Sequence, residues 1–276
     1  MRCLHTLPLI ESAKRSGAAI MTAEAANGIA PKPARPFAPY VKSDRNFFLT
    51  YVVLIWLGIL GGFVPEIVSH IVKHKPPFPW IVHVHAVVFV GWLVVLTTQV
   101  LLIRNKRADL HRRLGVAAMG VAALMVVIGP ITAFASQRYH LGKPDSDVPF
   151  LAVQLLDILG FAMLVSAAFV MRNNSSAHKR LILLATLYIA DAGFARFFGD
   201  GVHGVLGDGY WPFLAEAYLA NDVLAVGIGA YDLVTRKRLH PAYVAGMAVT
   251  FGLQLIGSAL YHSPGWKTIA LALIGH

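Results

Sequence analysis

A chain of 276 residues that is 57% hydrophobic and only 14% charged, with a mean hydropathy of +0.62, is neither a soluble enzyme nor a disordered segment, because ordinary soluble domains carry about a quarter charged residues. Its apolar runs have the length of membrane spans. The formal net charge of +10 must first be set against the lysines and arginines that collect in cytoplasmic loops of membrane proteins, and the single cysteine, Cys3, excludes a disulfide framework or a thiolate metal cluster.

Residues 1–46 are polar and proline-punctuated (Pro31, Pro33, Pro36, Pro39). Their one apolar patch, from Leu4 to Ile10, is too short and interrupted for a secretory signal. The expectation is a flexible basic cytoplasmic tail that stays attached, with Met21 an alternative start. Apolar segments then follow at 47–65, 80–103, 114–135, 149–171, 181–198, 211–234 and 242–262. Each is near the twenty or so residues needed to cross about 30 Å of hydrocarbon, which predicts an all-α fold, a seven-transmembrane helix bundle over 47–262. The stretch 263–276, with Trp266 and Lys267 before a short apolar run, reads as an interfacial segment.

Loop charge sets the orientation. Arg104, Lys106, Arg107, Arg112, Arg113, Arg172, Lys179, Arg180, Arg236, Lys237 and Arg238 follow spans two, four and six, whereas Lys73, Lys75, Arg138 and Lys143 follow spans one, three and five. The positive-inside rule then places the N-terminus in the cytoplasm and the C-terminus outside. It accounts for the net charge without nucleic acid, and anionic lipid headgroups become the expected partners of the inner loops. The implied location is a bacterial inner membrane, crossed many times, with a homo-oligomer or a larger membrane complex open.

Three inner loops are alike: Arg104 to Leu114 reads RNKRADLHRRL, Arg172 to Leu181 RNNSSAHKRL, and Arg236 to Pro241 RKRLHP. A basic residue closes one span and a histidine opens the next, a degenerate repeat that pairs spans as (2,3), (4,5) and (6,7). The simplest role for these residues is to anchor helix ends to headgroups. The strings HVHAVVFVGW, ADLHRRLG, AHKRLILLAT and RLHPAYVAG, over residues 80 to about 246, resemble a group of bacterial multi-spanning membrane proteins of unknown function, which implies the fold and no activity. Histidines at span ends, His111 and His178 among them, are also similar to those of cytochrome b561-like haem proteins, a resemblance that implies a b-type haem. The seven-span plan is similar to that of the adiponectin-receptor and alkaline-ceramidase hydrolases, but the last span has only His262 where those hydrolases carry paired histidines.

Ionisable residues inside spans are costly and usually functional. His85, Asp157, Asp191 and Asp222 fall about 9, 12, 10 and 16 Å from the outer ends of four different spans. Tyr218, Gln154, Asn221 and Gln254 share that slab, Glu66, His70 and His262 line its rim, and Gln99 is the only polar match read in the inner half. Three buried aspartates represent roughly 8 to 10 kcal/mol on insertion scales, which predicts a polar cavity in the outer half. Helix phase puts His85, Phe89, Trp92, Leu96 and Gln99 on one stripe, and Asp222 on another with Tyr218, Ala225 and Gly229. One function for such a site is cofactor binding, with His85 and Asp191 as ligands of a divalent metal or His85 as a ligand of haem, supported by Asp157 and Asp222. Another is transport or sensing, with the aspartates relaying protons or holding a cationic solute. An accessory subunit docking a cytoplasmic partner through its basic loops is the third.

Overall fold

The computed structural model describes residues 37–275. Expectations for the tail up to residue 36, Met21 and Cys3 included, lie outside the described residues. Seven long helices follow in turn: α1 (Asp44–Val72), α2 (Trp80–Arg104), α3 (Ala108–His140), α4 (Leu151–Val170, entered through a 3-10 turn at Val148–Phe150), α5 (Ser175–Leu206), α6 (Tyr210–Arg236) and α7 (Pro241–Tyr261). All seven are long and apolar enough to cross a bilayer. A short α8 (Pro264–Leu273) closes the described chain, and no strand occurs among the described residues. The protein is an all-α, seven-helix membrane-spanning bundle whose surroundings are lipid.

Several helices run past the apolar limits read from sequence. α1 continues seven residues beyond Pro65, because the proline stands within a helix whose flanking turns hold it. α3 likewise passes through Pro130. α5 extends to Leu206 through a stretch rich in glycine and charge, closing on Gly207 with a positive φ of 70°. At its start Asn174 is the N-cap, its Oδ1 accepting from the backbone amides of Ser176 and Ala177 at 3.2 Å.

α5 is the axis of the bundle. It packs against α1, α4, α6 and α7, and Leu183, Leu184, Ala185, Leu187, Ala190 and Phe194 are buried on it. The pairs α2/α3, α4/α5 and α6/α7 all touch, while α7 also lies along α4. α1 reaches α5 at a crossing of small residues, where Gly58 and Gly62 face Gly193 and Phe194. The outward faces carry Leu57, Val87, Val116, Val127 and Val223 in full exposure, the composition a lipid surface requires. α8 tucks Ala270 and Ile274 against Ala133, Val148 and Leu151, and the Trp266 indole donates to the Pro149 carbonyl at 3.0 Å.

Candidate functional site

The aspartates of α4, α5 and α6 converge. The carboxyl groups of Asp157 and Asp191 are close enough to interact, and two buried carboxyl groups so placed resist being ionised together. The Tyr218 hydroxyl donates to Asp157 Oδ1 at 3.3 Å, and the Ala192 amide donates to Asp191 Oδ1 at 2.7 Å. Tyr188 stacks on Tyr218, ring centroids 6.3 Å apart and nearly parallel, within electrostatic reach of Asp157, Asp191 and Asp222. Gly160 makes the room, since a side chain there would collide with the Tyr188 ring. Gln254 of α7 donates its amide to Asp222 Oδ1 at 2.9 Å, and Asn221 donates to the Leu187 carbonyl.

Tyr188, Asn221 and Gln254 are all at least 97% buried, yet the Tyr188 hydroxyl, Asn221 Oδ1 and Gln254 Oε1 have no partner. Buried polar atoms are rarely left so. Two amide oxygens and one hydroxyl, the last able both to donate and to accept, are thus left over in the cluster. With α5 running on to Leu206, Asp191 stands near the middle of its helix, as Asp222 does on α6.

His85 occupies the predicted stripe with buried Trp92 and Leu96, its ring stacked on Phe89 at 3.8 Å and its Nδ1 buried without a partner. No hydrogen bond or ion pair described here joins it to Asp157, Asp191 or Asp222. α2 reaches the centre instead through Trp92, whose indole donates to Thr186 at 3.1 Å and meets Phe161 edge-on. Among the described residues no group of three or more His, Cys, Asp or Glu side chains is placed to hold a metal ion. At the rim, Glu66 pairs with Arg196 at 2.6 Å, His70 meets the Pro76 carbonyl at 2.9 Å and His262 the Ser258 carbonyl at 2.8 Å.

The opposite, basic end of the bundle differs most from the sequence reading. Arg180 and Arg236 do not anchor in headgroups: their side chains are 1% exposed. Arg180 makes a two-pronged ion pair with Asp232, its Nε donating to Oδ2 at 2.6 Å and its Nη2 to Oδ1. Arg236 donates to both oxygens of Asp44 at 2.9 and 2.7 Å, which also accepts from Lys179 at 2.6 Å and Tyr231 at 2.7 Å. Phe37 covers both guanidinium groups. The inner half therefore holds a buried ion lattice tying α1, α5 and α6 together. The physical reason is carboxylate supply: Asp44, within the 1–46 stretch, and Asp232, within the 211–234 segment, are brought to the arginines by the fold. The signal in the sequence is the Asp232–Arg236 spacing of one helical turn.

The histidines of the repeat diverge in role. The His240 ring accepts from the Ala242 amide at 3.1 Å and so caps α7. His178 contacts the Ala168 carbonyl through Nδ1 at 2.8 Å, and its ring faces His111, centroids 6.3 Å apart and perpendicular. The His111 Nδ1 is buried without a partner, and the His111 carbonyl accepts from Gln99 at 3.1 Å.

Burial, then the Arg180 charge, holds His240 below its ordinary value of 6.5. The folded state thus favours the neutral ring that can accept from Ala242. The unfolded chain binds the proton more readily, so this contribution to stability is complete above about pH 6.5 and falls away as pH drops through the lower folded value. Thermal melts of the wild type and His240→Asn from pH 8 to pH 5 should show a steeper acid loss in the wild type, since asparagine caps at every pH. Parallel curves would contradict the assignment.

No protein-family model, no curated protein and no solved structure matches this chain.

Proposed function

We propose that this multi-pass protein of a bacterial inner membrane is a proton-coupled transporter whose Asp157–Asp191 pair holds the transported proton. The observation that carries the reading is the placing of two neighbouring carboxyl groups on the packed helices α4 and α5, Asp157 held by the Tyr218 hydroxyl and Asp191 by the Ala192 amide, where the two resist being ionised together and a proton is readily held. Tyr218 and Tyr188 bound the pair, and Asp222 with Gln254 continues the polar path across α6 and α7. Intramembrane carboxyl groups arranged in sequence are the usual parts of proton relays. The basic end faces the cytoplasm by its lysines and arginines, and the ion lattice there seals the bundle on that side.

The test is infrared difference spectroscopy on purified protein across a pH step, alongside proton flux into vesicles monitored with an entrapped pH dye. Asp191→Asn should shift the protonated-carboxyl band, which Asp157 alone then carries, and reduce flux by about a hundredfold or more, the scale on which a positioned proton-transfer group acts. A band and flux identical to wild type in Asp191→Asn would refute the reading.

A second reading has its own observation, the facing rings of His111 and His178. The Ala168 carbonyl fixes the His178 tautomer through Nδ1 and leaves Nε2 available as a ligand, as metal-binding histidines require, and His111 presents an unpartnered buried nitrogen. These two histidines are the ones that would hold a b-type haem, which would supply electron transfer, whereas His85 has no second histidine facing it. A Soret band lost in His178→Gln and kept in His85→Ala would favour this reading.

A further inference from the structure

We infer that the extended segment Phe37–Val41 is a pH-sensitive strap over the basic end of the bundle, latched while His240 is neutral and released when that ring gains a proton. This goes beyond the proton reading and does not depend on it. The segment forms no helix or strand, and it is held by side chains that lie far along the chain. Lys179 Nζ donates to the Pro39 carbonyl and Arg236 Nε to the Ala38 carbonyl, both at 2.9 Å. The half-buried Phe37 ring lies 4.7 Å from the Arg180 guanidinium and 5.2 Å from that of Arg236, and it meets the His240 imidazole edge-on, centroids 4.8 Å apart.

Charge explains why backbone carbonyls and a phenyl ring serve here. Lys179, Arg180 and Arg236 bring three positive charges to the ion lattice, and Asp44 and Asp232 bring two negative ones. The surplus is met by neutral partners, two carbonyl oxygens and the π face of Phe37. Of Arg180, Arg236 and His240, only the last changes its charge near neutral pH.

The His240 Nδ1 accepts from the Ala242 amide at 3.1 Å, which only an unprotonated nitrogen can do. A proton there sets donor against donor, so the ring must leave the cap, and Phe37 loses the surface it packs on. The same proton adds positive charge where positive charge is already in surplus. The charged groups acting on His240 are Arg180 from α5, Asp232 and Arg236 from α6, and Arg238 from the loop that follows α6. Its own helix adds the Tyr243 phenol, α1 adds Asp44 through Arg236, and α4 adds nothing at this end, its single titratable side chain being Asp157. Burial, then the Arg180 charge, holds His240 below its ordinary 6.5. The latched state therefore favours the neutral ring, and the strap is lost as pH falls through that lowered value. Release uncovers both guanidinium groups and frees the start of α1, whose Asp44 holds Lys179 and Arg236. Acid on this side thus loosens the closure of the basic end.

A nitroxide attached through Ala38→Cys in a Cys3→Ser background reads the strap, because Ala38 is exposed and its bond to Arg236 uses the backbone carbonyl. In the full-length protein in lipid nanodiscs, the label should be immobile at pH 8 and become mobile on the way to pH 4.5, with a midpoint below 6.5. A single proton spreads that change over about two pH units between one-tenth and nine-tenths released. Recovery of the first spectrum on return to pH 8 separates release from unfolding. Adding His240→Asn, which caps α7 without titrating, should keep the label immobile throughout, and adding Phe37→Ala should leave it mobile at pH 8. A label already mobile at pH 8, a label immobile at every pH, a transition that does not reverse or that survives His240→Asn, or a label still immobile in Phe37→Ala would each overturn the inference.

Discussion

Asp232→Ala is expected to destabilise the bundle by about 3–5 kcal/mol, the cost of leaving a buried charge without its partner. Asp232 is fully buried against Arg180, and Arg236 approaches the same carboxylate at 3.5 Å. Removing it strands one guanidinium whose remaining side-chain bond is to the Ser176 carbonyl at 2.8 Å, beneath the Phe37 ring. Arg236 keeps Asp44. The double variant Arg180→Leu/Asp232→Leu removes both charges together and should recover most of the loss, because a buried pair replaced by apolar side chains of similar volume is often neutral or stabilising. Thermal unfolding in mild detergent reads both variants. A single variant as stable as wild type, or a double variant no better than the single, would show that the lattice does not hold the basic end closed. By contrast Arg196→Gln, at the exposed pair with Glu66 whose side chains are 42% and 48% accessible, should cost no more than about 1 kcal/mol.

The contrast between these two ion pairs explains what the sequence could and could not convey. Apolar length predicts the seven helices, because the bilayer imposes a thickness that any spanning helix must match. It does not predict where they stop. The end of α1 follows a proline and carries Glu66 and His70, the end of α5 bears several glycines, and the added turns of α5 bring Asp191 to mid-helix. Helix phase predicts faces: Trp92 and Leu96 are buried on one side of α2, and Tyr218 and Ala225 on one side of α6. Phase within a helix cannot choose the partner helix. Asp157 and Asp191 are neighbours because α4 lies on α5, whereas α2 lies chiefly on α3 and its His85 stacks on Phe89 of the same helix. Charge counts assign a chain an orientation without telling which basic residues are in water. Arg180 and Arg113 hold the same place in the loop motif, two residues after its histidine, and only the tertiary arrival of Asp232 makes the first of them a core residue while the second stays exposed.

Gly193→Ala is expected to part α1 from α5 and to cost about 1–3 kcal/mol or more, the range for forcing an extra carbon into a filled contact. A methyl there would lie 2.8 Å from the Ile59 Cα and 3.0 Å from the Gly58 carbonyl oxygen, and backbone cannot rotate aside as a side chain can. Gly62→Ala meets the Gly193 carbonyl from the other side of the same crossing, so the two substitutions should be strongly non-additive. Glycine to alanine in an open helical position has the reverse sign, since alanine favours helix by up to about 1 kcal/mol. Gly91 and Gly252, with nothing within 4 Å of an added carbon, supply that control. Melting temperatures should therefore fall for Gly193→Ala and Gly62→Ala and hold or rise for Gly91→Ala and Gly252→Ala. Gly193 is two residues from Asp191 on the same helix, so the displaced α5 should also shift the protonated-carboxyl band of the Asp157–Asp191 pair, which the Gly91 and Gly252 controls leave in place. Four variants with equal melting temperatures would mean that α1 and α5 do not meet at Gly62 and Gly193, and that the carboxyl pair is held by other contacts.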